Sequence, residues 1–161
     1  MAEQRDFDKL WNYDDPAGTE KKFRELLSKA EKGKDEEYYI ELLTQLARTQ
    51  SLQRKFDEAH EILDKAMKQL KPEHIVPRIR FMLERGRTYN SSKVYDKARE
   101  LFLAAYMQAD KYEEDNLAID AVHMLGIVDK DEESLKWNEL AIQMAEDTED
   151  EKARGWLGSL Y

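Results

Sequence analysis

The sequence predicts an all-α solenoid of stacked antiparallel helix pairs, about eight helices in a single domain, and three observations carry that expectation. First, Lys55-Phe56-Asp57-Glu58-Ala59, running on to Leu63 and Ala66, is answered 39 residues later by Val94-Tyr95-Asp96-Lys97-Ala98, running on to Phe102 and Ala105. Aromatic, small and large apolar residues recur at helical spacing, so each set falls on one helix face, with alanines where another helix can approach closely. Second, the upstream residues repeat at the same offset, Ala47-Arg48-Thr49-Gln50 against Gly86-Arg87-Thr88-Tyr89. Third, breakers are sparse, with three prolines and six glycines in 161 residues, as long helices joined by tight turns require.

In chain order, residues 1–13 place Phe7, Leu10 and Trp11 at helical spacing and are expected to cap the first helix, because a terminal repeat must cover an otherwise bare apolar face. Asp14-Asp15 followed by Pro16 is a helix start, with the proline where no backbone donor is needed. Phe23, Leu26, Leu27 and Ala30 give that helix an apolar face, and Gly33 ends it. A first full pair is expected at 36–52 and 56–70, broken by Lys71-Pro72, and a second at 74–90 and 95–111. The third pair, 115–128 and 132–146, has a shortened connection at Asp129-Lys130-Asp131 and should bury Leu135, Leu140, Ile142 and Ala145. A final helix from about residue 150 carries Trp156, Leu157, Leu160 and Tyr161. The implied units are 1–34, a cap and half repeat; 35–73 and 74–112, full repeats; 113–148, a degenerate repeat; and 149–161, an incomplete one. Ending on half a repeat, the chain is expected to be the N-terminal part of a longer array or to be covered by a second copy.

The composition excludes several functions. A formal charge of −9, from 35 acidic against 26 basic residues, opposes nonspecific attachment to nucleic acid or anionic membrane. Without cysteine there is neither a disulfide framework nor a Cys-based zinc site. No apolar stretch approaches the roughly 20 residues of a membrane span, and the first residues do not form a signal sequence, so a cytoplasmic location is expected. His60, His74 and His123 form no HExxH-like ligand pair. Asp120 and His123 share a helix face, but a pair lacks the third ligand of a catalytic metal. Glu36-Glu37, Glu113-Glu114 and Glu132-Glu133 lie at helix starts, where the helix dipole favours them without catalysis. No phosphate loop or nucleophile elbow is present; neither an enzyme, a cofactor nor a metal is expected.

The repeated residues resemble the tetratricopeptide repeat, Trp-x2-Leu-Gly-x2-Tyr, then Ala-x3-Phe, then Pro, over about 34 residues. Gly86 and Tyr89, Ala98 and Phe102, Ala59 and Leu63, Pro72, Leu125-Gly126 and Leu157-Gly158-x2-Tyr161 carry the resemblance. The 39-residue period, Arg85 in place of Leu and the shortened third turn depart from it. The longer period is similar to that of kinesin light chains and bacterial peptide-sensing repeat proteins, and the chain also resembles the N-terminal part of bacterial repeat proteins of unassigned function. The resemblance implies a right-handed superhelix whose first helices line a concave groove for peptides or partner helices.

On that template the groove holds Glu41, Thr44, Arg48 and Ser51, then Arg80, Leu83, Arg87 and Asn90, then Asp120, His123, Ile127 and Lys130. Guanidinium groups on successive helices grip carboxylates bidentately, which makes an acidic or C-terminal peptide the expected ligand. The alternative is that Arg48 and Arg87 pair with neighbouring acids and brace the stack. The Lys and Asn pattern of chaperone-clamping repeats is replaced here by Thr44, Arg48, Glu84 and Asp120, so chaperone binding is not expected. The expected function is that of a protein- or peptide-binding scaffold. Its rivals are a peptide-sensing regulatory module and an assembly subunit that dimerises through Trp156, Leu157, Leu160 and Tyr161 on an open last helix.

Overall fold

Residues 5–160 are described by the computed structural model, and the ordered elements among them are helical. A 3₁₀ turn at Asp6–Leu10 precedes α1 (Pro16–Ala30), α2 (Glu36–Leu52), α3 (Phe56–Gln69), α4 (Ile75–Ser91), α5 (Tyr95–Lys111), α6 (Asp115–Val128), α7 (Asp131–Asp147), α8 (Glu151–Arg154) and α9 (Leu157–Leu160). Successive helices pack pairwise through short turns, as in a helical solenoid, and α2, α4 and α6 also contact one another in a row. The core follows as three successive clusters, around Leu43 and Leu63, around Phe102 and Leu125, and around Val122 and Ala153. Each repeat thus buries its neighbour's face, as a quasi-linear array requires.

The repeated face packs as its spacing dictates. Ala59, Leu63 and Ala66 in α3, and Ala98, Phe102 and Ala105 in α5, are all fully buried. The facing positions compensate for size. Where Leu63 stands in one repeat, Ala47 is available on the first helix; where Phe102 stands in the next, the equivalent residue is Gly86. A methyl group added at Gly86 would come within 2.5 Å of the Phe102 ring. Arg85 reaches back to α3: its Nη2 donates to Asp64 Oδ1 at 2.6 Å, and its guanidinium lies over Phe81.

The turns repeat too. Arg54 and Lys93, one period apart, and Glu113 adopt left-handed φ of 63°, 67° and 56°. The following amide in each case reaches back to close the helix end, from Lys55 to the Gln50 carbonyl, Val94 to Tyr89 and Glu114 to Ala109. This is the Schellman closure, made here by residues with a Cβ rather than by glycine. At the start of α1, the Asp15 carboxylate accepts from the Gly18 amide with Pro16 in the first position.

Two local expectations are corrected. Leu135 is 58% exposed, and the buried face of α7 is instead carried by Ala141 and Ala145, with Leu140 and Ile142 half-buried. The shortened connection turns α7 so that Trp137 meets Asp129, whose carboxylate accepts from the Trp137 indole and from Arg99 at 2.8 and 2.9 Å. The last helix is not continuous. It breaks at Gly155 and Trp156, where the tighter Trp156-to-Ala153 backbone bond forms and the Trp156 indole donates to Asn116 Oδ1 at 2.9 Å. No helix among the described residues is long and apolar enough to cross a membrane.

Candidate functional site

The inner row of α2, α4 and α6 forms the floor of a cavity of about 380 Å3. Its walls come from the two ends of the described chain: Trp11 and Tyr13 on one side, Lys152 and Trp156 on the other. Aromatic side chains thus stand at both ends of this row.

The floor is charged and largely self-paired. Glu84 is 3% exposed; its Oε2 accepts from Gln45 Nε2 and from Arg87 Nη1, each at 3.1 Å. Arg87 continues to Asp120, so α2, α4 and α6 are linked through the chain Gln45–Glu84–Arg87–Asp120. Burial works against the Arg87 charge, but the carboxylates of Asp120 and Glu84 outweigh it and raise its pKa. Glu41, 2% exposed, lies between Arg5, whose Nη2 donates to its Oε2 at 2.7 Å, and Arg80, whose Nε is 3.5 Å from its Oε1. Burial pushes the Glu41 carboxyl pKa up, against the pull of those guanidinium groups.

Two cations in the cavity wall are not committed in this way. Arg48 comes only to 3.8 Å from Glu84 Oε1, and makes no hydrogen bond among the described residues. It is held in place from the side, 5.5 and 5.0 Å from the Trp11 and Tyr13 rings, which stack on each other at 4.6 Å. Lys152 is exposed at the opposite wall and has no ionic partner among the described residues. A guanidinium held beside aromatic walls, with a second cation opposite, suits a carboxylate carried on an aromatic or other apolar body.

The residues expected in the groove divide accordingly. Arg48, Arg80, Leu83 and Asp120 line the cavity. Arg87 lies beneath it in the Glu84–Asp120 link, and the buried Thr44 hydroxyl donates to the Glu41 carbonyl. Ser51 is buried and Asn90 half-buried, each near the end of its helix; Ile127 and Lys130 are exposed at the end of α6 and the turn after it. His123 is half-buried against the Trp156 ring at 5.3 Å, and its pKa is lowered by burial first, with Asp120 pulling upward. Leu160 is 7% exposed and packs in the last core cluster with the half-buried Leu157, while Trp156 walls the cavity; Tyr161 lies outside the described residues. Among the described residues there is no cluster of three or more His, Asp or Glu side chains placed to hold a metal ion.

Asp8, Trp11, Gln45 and Lys152 belong to the cavity and were not legible as site residues, and Trp156, expected at an oligomer contact, lines the cavity as well. Gln45 and Glu84 could have been found: they stand one period apart on the same side of successive first helices, the spacing of a contact between stacked helices. No family model, curated protein or solved structure matches the chain.

Proposed function

We propose that this chain is a tetratricopeptide-like binding module whose inner cavity takes a short acidic segment or a free C-terminal carboxylate of a protein partner. The observation that carries this reading is the pair of uncommitted cations, Arg48 and Lys152, in the wall of a cavity flanked by Trp11, Tyr13 and Trp156. The tetratricopeptide assignment is supported by the buried Ala59–Leu63–Ala66 and Ala98–Phe102–Ala105 faces and by the fit of Gly86 to Phe102. The module holds and presents a partner and carries out no reaction. Its acidic balance directs it to proteins rather than to nucleic acid or membrane, in a cytoplasmic setting.

The test is a screen of hexapeptides with free and amidated C-termini against wild type and Arg48→Glu/Lys152→Glu. Arg87 is left alone, because reversing it would place an acid between Glu84 and Asp120. Peptides with a free carboxylate or acidic side chains should bind wild type and lose at least about tenfold in the variant, corresponding to about 1.4 kcal/mol. Equal binding by a variant with an unchanged melting transition removes the site from the cavity.

A further inference from the structure

The cavity wall formed by residues 5–13 does more than cap the first helix. The segment crosses onto the inner face and reaches both α2 and α4. Asp8 Oδ2 accepts from Arg80 Nη2 at 2.8 Å, across 72 residues of sequence. Arg5 donates twice to Glu41 Oε2, and the Trp11 indole donates to Gln45 Oε1 at 3.0 Å. Phe7 is fully buried, edge-on to Phe23 and Tyr38, with the Arg80 guanidinium 5.7 Å from its ring. An acid and aromatics thus lie on a row of arginine-bearing first helices.

The attachment is made by side chains. The backbone bonds of the segment are local, Asp8 to the Arg5 carbonyl and Asp15 to the Asn12 carbonyl, or run to the Thr19 hydroxyl of α1; none joins it to α2 or α4 among the described residues. A segment held in this way can leave while the helices of the floor keep their own backbone bonds. Its departure also leaves a partner for each buried charge, because Arg80 and Glu41 are already 3.5 Å apart.

We propose that residues 5–13 are a resident ligand of the inner groove, and that an acidic–aromatic segment of a protein partner binds by exchanging with them. This rests on the reading of the inner face as a binding site and extends it to the part that residues 5–13 cover: that part is free only in the fraction of molecules whose own segment has left, which weakens apparent affinity for an exchanging partner by that fraction. It also specifies the partner's chemistry, an acid next to a large aromatic with a second aromatic about one helical turn further on, as in Phe7-Asp8-Lys9-Leu10-Trp11.

The test uses the full chain and a fluorescent peptide with the sequence of residues 5–13. Asp8→Asn removes the charge that Arg80 holds while keeping the side chain's shape. The peptide should bind Asp8→Asn at least about tenfold more tightly than wild type. At saturation of either protein, amide exchange should speed up within residues 5–13 and stay slow in α2–α7. The wild-type exchange measurement needs no variant, so a poorly folded Asp8→Asn would not leave the idea unexamined. Equal affinity for both proteins, binding to neither, or bound peptide with residues 5–13 still protected would overturn the exchange. The groove reading fails separately, when Arg48→Glu/Lys152→Glu keeps the hexapeptide ligands.

Discussion

Gln45 and Glu84 stand at the same position of two successive repeats, and the Gln45 Nε2 donates to the Glu84 Oε2 at 3.1 Å. Glu41 and Arg80 are related in the same way and lie 3.5 Å apart. The period of the sequence is therefore also a spatial relationship: residues 39 apart are brought side by side as α4 stacks on α2. On the inner face these equivalent positions carry polar groups that must satisfy one another.

Removing Glu84 should accordingly be costly. Glu84→Ala leaves Arg87 with Asp120 alone and takes from the Gln45 amide its acceptor on α4. A loss of about 3 kcal/mol in urea unfolding is expected, the size typical of a buried pair broken on one side. Gln45→Ala removes both the donor to Glu84 and the acceptor of the Trp11 indole, and should cost about 2 kcal/mol.

Gly86→Ala should also destabilise, although alanine favours helix. The added methyl meets the fully buried Phe102 ring, and overpacking of this kind costs roughly 1–3 kcal/mol. Combining it with Phe102→Leu recreates the Ala47–Leu63 arrangement of the preceding repeat. The double variant should be more stable than the sum of the singles predicts, as read from a double-mutant cycle by thermal or urea unfolding. Simple additivity would mean that the two positions do not share a constraint.

Lys93→Gly should stabilise the chain by up to about 1 kcal/mol, since a residue with a Cβ is strained at φ 67°. The gain will be partly offset by the greater freedom of glycine in the unfolded chain. An unchanged or lower melting temperature would show that this turn stores no strain.

These features differ in how far the sequence foretold them. The bounds of α2, α5 and α6 and the alanine faces follow from spacing, because burial in a stacked repeat is set locally and repeated. The break at Gly155 and the exposure of Leu135 do not follow. Both depend on where α7 and α8 settle against α6, through the Trp137–Asp129 and Trp156–Asn116 bonds. At the site, Arg48, Arg80 and Asp120 were legible because the repeat places them on the inner face. The difference between Arg48, 3.8 Å from the acid of the next helix, and Arg87, hydrogen-bonded to its acids, was not, since it turns on the last ångström of approach. Asp8, Trp11 and Lys152 reach the cavity from outside the repeated units, where periodicity has no hold.

Acidification should weaken the fold through two of its histidines. Burial lowers the pKa of both His60 and His123 below the ordinary 6.5, with Arg85 adding to the effect at His60. The unfolded chain then binds more protons than the native one in this range. Their contribution is fully present above 6.5 and is lost as pH falls from there through the folded pKa. The melting temperature should drop between about pH 7.5 and about pH 5.5, and drop less in a His60→Gln/His123→Gln variant. An equal drop in both proteins would assign the effect to other groups.

The three tryptophans allow the binding site to be read in one spectrum. The Trp11 and Trp156 indole N–H groups bond to Gln45 and Asn116 at the cavity walls, while that of Trp137 bonds to Asp129 away from it. Titration of the 15N-labelled chain with the tightest free-acid hexapeptide should therefore shift the Trp11 and Trp156 indole signals and leave Trp137 in place. A saturable shift of Trp137 alone, or binding that leaves Trp11 and Trp156 unmoved, would contradict the inner cavity as the place where this chain meets its partner.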